Sequence, residues 1–256
     1  MVLRHGEVSD PGALDVAGRL RAAGHPLAEL PLFLLDPERQ LTLPSYHYRG
    51  GSAALPYGPY QQAAPPGSTA DPLPVPAEDV TDAAASQLIR TAVEGWVTDS
   101  RGAAEARVFR FGPVLAPAML AGASLAALPL PALAGDPAPE IAEREAASAD
   151  VFRILFAAAS GGAYGKGLGG AYGRLAAWQS LAGLTGLVGA AEPGAGGAAE
   201  PGAGGIDSVA VAASATRFLL FSARSRWYRQ VAWDIGIAAL RPGSRTLAIL
   251  TATDTD

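Results

Sequence analysis

Two stretches of this chain carry residue types at spacings that chemistry can use. The first is Ser160 to Trp178, SGGAYGKGLGGAYGRLAAW, in which GGAYGK at Gly161–Lys166 returns as GGAYGR at Gly169–Arg174. Glycine at this density needs either close backbone approach or positive φ. A glycine-rich loop entering a helix presents backbone amides to an anion. Lys166 and Arg174, flanked by Tyr164 and Tyr172, could hold a phosphate or carboxylate there. The two standard phosphate cradles do not fit. Gly165, Gly167 and Gly170 satisfy GxGxxG, but no strand precedes them and no acid stands about twenty residues on. A Walker loop needs Ser or Thr after its lysine, and Lys166 is followed by Gly167. The alternative is a tight helix–loop–helix corner in which the two tyrosines pack and hydrogen-bond.

The second stretch is the C-terminal set of acids: Asp234 beside Trp233, then Asp254 and Asp256, with Thr251, Thr253 and Thr255 between. Grouped carboxylates bind hard cations or shift one another's pKa for acid–base work. A hairpin through this region sets Asp234 near Thr251, and so within a few residues of Asp254. The alternative is an Asp234 bonded to a backbone amide or an arginine, followed by a solvated tail. Arg224, Arg226 and Arg229 surround Trp227 and Tyr228. Such interleaving can stack and neutralise single-stranded nucleic acid, or can be a solvated connection with a packed tryptophan.

The candidate ligand-binding residues are therefore Tyr164, Lys166, Tyr172, Arg174, Trp227, Trp233, Asp234 and Asp254. No catalytic residue is assigned. His5, His25 and His47 stand apart in the N-terminal fifth, and there is no cysteine. Disulfides, thiolate catalysis and cysteine-bound zinc are thereby removed. No metal site and no cofactor is expected.

The elements that must position these residues can be read from pattern. Asp10-Pro11 starts a helix over 11–23 that Gly24 stops. Leu30–Leu35 reads as a short strand or extended run. Residues 40–76 form a loop rich in proline and tyrosine. Asp79 or Thr81 caps a helix carrying Ala85, Leu88, Ala92 and Trp96 on one face. Residues 105–111 alternate as a strand, with Ala106 and Val108 opposite Arg107 and Phe109. A short helix lies around 118–127, then extended LPLPAL. Helices follow at 149–159, capped by Ser148, and at 171–188. Residues 190–205 repeat AAEPGAGG and read as a surface linker. Asp207 caps a short helix, and strands follow at 216–222, 231–240 and 246–252. The last two are joined by Arg241-Pro242-Gly243-Ser244, strong turn chemistry.

The 256 residues carry 49% apolar and 17% charged side chains, with a net charge of −5. That is ample for one core and argues against a wholly basic nucleic-acid surface. No charge occurs between Arg110 and Asp136, but Pro113, Pro117, Pro129 and Pro131 interrupt that run. Prolines at that spacing break the ladder a membrane span requires, so a buried segment is expected. The opening MVLRHGEVSD has no apolar leader core.

The segments GGAYG…GLGGAYGRLAAW and VAWDIG…LAILTATDTD, with VSDPGALDVAGRLRAAGHPLAELPLFL, PYGPY and EARVFR, resemble an uncharacterised actinobacterial family of the streptomycete type. The likeness spans most of the chain and implies a cytoplasmic location, but it brings no activity.

The expectation is one α+β domain over 1–256, with helices on a mostly antiparallel sheet ending in a C-terminal hairpin. The expected function is that of a non-enzymatic interaction protein, of immunity, regulatory or adaptor type, whose partner is another protein. The missing catalytic constellation and the aromatic-rich loop favour it. Neither a membrane nor nucleic acid is the expected partner. The alternative is a small enzyme or ligand-binding protein that uses the glycine loop and the C-terminal acids for an anion or a metal.

Overall fold

The computed structural model describes residues 11–39, 45–47, 50–52, 76–116, 119–135, 139–161, 167–187, 205–229 and 233–254. Helix α1 spans Pro11–Ala22 and ends where Gly24 turns to a φ of +59°. Leu30–Leu35 is not a strand. Its neighbours form single 3-10 turns at Pro26–Glu29 and Asp36–Glu38, each entered through a proline. The segment's carbonyls meet a side chain rather than a neighbouring strand, as described below. Within the loop 40–76, β1 (Ser45–His47) and β2 (Gly50–Ser52) pair as a small ribbon. The linker reading at 190–205 falls almost entirely outside the described residues.

Strand β3 (Ala77–Asp79) leads into helix α2 (Ala83–Arg90). The cap is Asp82, whose carboxylate accepts the Ala85 amide at 2.7 Å, and neither Asp79 nor Thr81 serves. The helix does not run on to Trp96. It breaks into a 3-10 turn at Thr91–Val93 and resumes as α3 (Glu94–Thr98). The cause is tertiary: the Ala92 amide donates to the Ser180 hydroxyl at 2.8 Å.

Strand β4 is Ala103–Phe111, with Ala106 and Val108 on the opposite face from Phe109 and Phe111. Helix α4 is short, Gly122–Ala126, and the LPLPAL run closes in a 3-10 turn at Pro131–Leu133. Strand β5 (Ile141–Ala146) is an edge strand that periodicity does not announce. Helix α5 spans Ser148–Ser160, with Ala147 rather than Ser148 at its cap position, and Gly161 ends it. Helix α6 spans Gly169–Thr185 and stops at Gly186, φ +90°. Helix α7 is Ile206–Ala215, entered through Gly205 with Asp207 in its first turn.

Strands β6 (Arg217–Ala223), β7 (Trp233–Leu240) and β8 (Thr246–Asp254) complete one six-stranded sheet, ordered β3-β4-β8-β7-β6-β5 and antiparallel throughout. The β7–β8 hairpin turns at Pro242-Gly243, where Gly243 takes φ +86° and the Ser244 amide returns to the Arg241 carbonyl at 2.9 Å. One sheet face buries Val108, Leu220, Ile237 and Leu250 against α2, α5 and α6, around Phe152 and Trp178. The other face buries Phe109, Phe221, Leu240 and Ile249 under the 112–135 segment and Tyr228. The charge-free run is therefore a lid on the sheet. Among the described residues, no helix is long and apolar enough to cross a membrane.

Candidate functional site

The doubled glycine motif works by close approach. A methyl group at Gly173 would lie 2.7 Å from the Ser160 Cα, so this glycine lets α6 cross the end of α5. Gly167 meets the same backbone at Ser160 and Gly161, and Gly169 takes φ +74°. Tyr164 and Lys166 lie outside the described residues. Tyr172 does not pack inside a corner. It is 46% exposed, with its hydroxyl 3.3 Å from His25 Nε2.

Arg174 is buried and faces Glu38, which is fully shielded from water. Its Nε and Nη2 both donate to the Glu38 carboxylate, the latter at 2.8 Å. Nη1 donates to the Pro31 carbonyl at 2.9 Å, and Nη2 also to the Phe33 carbonyl at 3.0 Å. Glu38 further accepts the Trp178 indole N–H at 3.1 Å and the Leu35 amide at 2.9 Å. A charge pair so enclosed needs hydrogen-bond partners, and each of the three guanidinium nitrogens has at least one. Arg174 thus clasps the 31–38 segment to α6.

The C-terminal acids are neighbours in register but not in space. Trp233 pairs with Asp254 and Asp234 with Thr253. Adjacent strand residues point to opposite faces. Asp254 therefore leaves the sheet on the helix side with Trp233, and Asp234 on the other with Thr253. Asp254 is buried and accepts the Ser100 hydroxyl. Trp233 packs edge-on against Trp96 at 5.8 Å. Trp227 stands edge-on to Tyr228, which is 2% exposed and donates to the Ile235 carbonyl at 3.2 Å. These aromatics hold the chain; the buried Tyr228 ring offers no stacking platform.

The structure assembles a different site, which motif reading missed. A cleft of about 600 Å³ opens between α2, β3 and the outer edge of β4. Its walls are Asp79, Thr81, Asp82, Ser86 and Arg90 on one side and Ala104 to Arg107 on the other. Arg107 lies between two acids, with Nε on Glu105 at 2.7 Å and Nη1 on Asp79 at 2.9 Å. The hydrogen bond that Arg107 donates to Glu105 is the main reason the guanidinium pKa is raised, assisted by the charges of Glu105 and Asp79 and opposed by burial. Burial pushes the Asp79 carboxyl up, but the Thr81 hydroxyl and amide, together with Arg107, outweigh it and hold it below its usual value. Thr81 Oγ1 also accepts the Val108 amide at 2.8 Å. Two buried atoms at this site, Glu105 Oε2 and Arg90 Nε, have no hydrogen-bond partner among the described residues. The readable signal is Glu105 and Arg107 on alternate positions of a strand whose remaining residues, apart from the exposed Arg110, are apolar.

Backbone direction makes the cleft unusual. The Phe111 amide donates to Arg245 beside β8, so the odd residues of β4 turn inward and the even ones outward. The Val108 carbonyl accepts the Val80 amide at 2.8 Å, after which the chain leaves for α2. Ala104 and Ala106, next along the edge, therefore aim their amides and carbonyls into the cleft.

A six-stranded antiparallel sheet with helices on one face, a turn-rich lid on the other and a polar cleft at one edge defines an α+β protein. The chain belongs to a family of unknown function, DUF6183, whose model matches residues 1–256. A search of curated proteins found no match, and neither did a search of solved structures.

Proposed function

We propose that the chain is a non-enzymatic interaction protein and that the β4-edge cleft is where it meets its partner. The observation that supports this most is the Asp79–Arg107–Glu105 triplet beside outward-turned backbone groups of β4. Among the described residues, the lining includes neither histidine nor cysteine. The hydroxyl nearest a carboxylate, that of Thr81, is tied to Asp79 and to the Val108 amide at once. A nucleophile needs a free lone pair and a base that can move its proton. This arrangement favours recognition over turnover. The proposed setting is the cytoplasm, a reading that rests on the family resemblance.

The test is capture of partners from extract of the native cell by the wild-type chain and by Glu105→Lys, with Arg217→Ala at the far side of the sheet as control. We expect a stable complex that Glu105→Lys loses and the control keeps. Identical capture by a folded Glu105→Lys variant would overturn the reading.

A further inference from the structure

Resting on that reading, we infer that the outer edge of β4 at Ala104–Ala106 takes an extended, basic segment of a partner protein as an added strand. Main-chain pairing is what an open edge offers, and a guest strand supplies it without a shaped pocket. The β3 partner line ends at Asp79, with a last bond from Val80 to Val108. From Ala103 to Arg107, the hydrogen bond that the described residues bring to the outer edge comes from the Ser86 hydroxyl, which donates to the Ala106 carbonyl at 3.4 Å. That run of strand is about 16 Å long at roughly 3.3 Å per residue. A guest strand would continue the line of β3 and pair with the Ala104 amide and carbonyl and the Ala106 amide.

Side-chain chemistry sets what the guest must be. Alternate guest residues face Glu105 and Arg107; the others face Ala104 and Ala106 beneath α2. Arg107 is already matched by Glu105 and Asp79. The capacity left over is Glu105 Oε2, a buried acceptor without a partner among the described residues. A lysine or arginine opposite Glu105 fills it, and the net charge of −5 draws such a segment in. Arg90 Nε, the other unmatched buried atom, can take a guest carbonyl. Self-pairing of two copies about Glu105 brings acid toward acid, which disfavours that register. The opposite edge, β5, carries Glu143, Arg144 and Glu145 in succession, the charged pattern that discourages strand addition.

The probe is a capped octapeptide alternating valine and lysine, compared with one alternating valine and glutamate and with an N-methylated lysine version. We expect the lysine peptide to bind, the glutamate peptide to bind at least tenfold more weakly, and N-methylation to abolish binding. Amide exchange at Ala104 and Ala106 should slow in the complex. Ala104→Pro removes an outward amide while leaving the β8 ladder intact, and should weaken binding tenfold or more. Equal binding of the N-methylated and parent peptides, or of the lysine and glutamate peptides, would overturn strand addition. So would a dimer of the chain alone that Ala104→Pro dissociates. If the peptides fail but Glu105→Lys still loses its complex, only the strand model falls. If capture is unchanged as well, the cleft reading falls with it.

Discussion

Arg174 and Glu38, 136 positions apart in the chain, form a buried ion pair. Removing one partner of such a pair leaves a buried charge alone, at a cost of about 3–5 kcal/mol. Arg174→Ala and Glu38→Ala should each lower urea stability by that order. Arg174→Met with Glu38→Leu should cost much less than the two single losses together. A stable Arg174→Ala chain would instead return Arg174 to the anion-binding role that its loop suggested.

Gly173 lies where α6 crosses Ser160 at the end of α5. Gly173→Ala normally adds helix propensity, worth up to about 1 kcal/mol. Here the new methyl meets backbone, which cannot swing aside, and overpacking costs about 1–3 kcal/mol. The net effect should be a loss of stability, visible as a Tm lowered by several degrees. Gly18 of α1 has open space around it, so Gly18→Ala should raise Tm instead.

Glu143 is pushed upward in pKa by burial, and its Oε2 has no partner among the described residues. A folded pKa above the unfolded value means stability that is full at low pH and is lost as pH rises through the folded pKa. Glu143→Gln mimics the neutral acid. It should raise Tm by a few degrees at pH 7 and make little difference at pH 4. Equal Tm differences at both pH values would refute this.

Asp79 has the opposite sign. Its folded pKa is lowered, so its contribution is present at neutral pH and disappears as pH falls through the folded value. Asp79→Asn should be the less stable chain at pH 7, and the two stability curves should converge in acid. The effect will be small and salt-sensitive, because the carboxylate is about one-third exposed. Chemical denaturation at pH 7 and below pH 3 measures it.

Local rules read well what local chemistry decides. Pro242-Gly243 announced the β7–β8 turn, and the alternation of Trp233, Ile235 and Ile237 identified a buried strand face. The register was read two residues short, since Asp234 lies opposite Thr253 rather than Thr251. The break after Arg90 was illegible because its cause, the Ser180 hydroxyl, is 88 positions away. Strand β5 escaped because an edge strand written IAEREA lacks apolar alternation. Arg174 stands out in the GGAYGR repeat, but its partner in the Asp36–Glu38 turn carries no motif. The cleft joins α2, β3 and β4, and no short sequence pattern describes such a junction.

Of the strands in this sheet, β8 comes last in sequence, yet it is third of six across it, between β4 and β7. Ala103 on β4 thus waits for Thr253. During synthesis the β3–β4 pair and the β7-β6-β5 group share no strand pairing among the described residues until β8 emerges. Closure of the sheet is then a late, non-local event, of the kind that slows folding. Until it occurs, the inner edges of β4 and β7 stand open with apolar side chains beside them. The nascent chain is therefore most prone to mispairing just before its final strand is made, and truncation at Arg245 would hold it there.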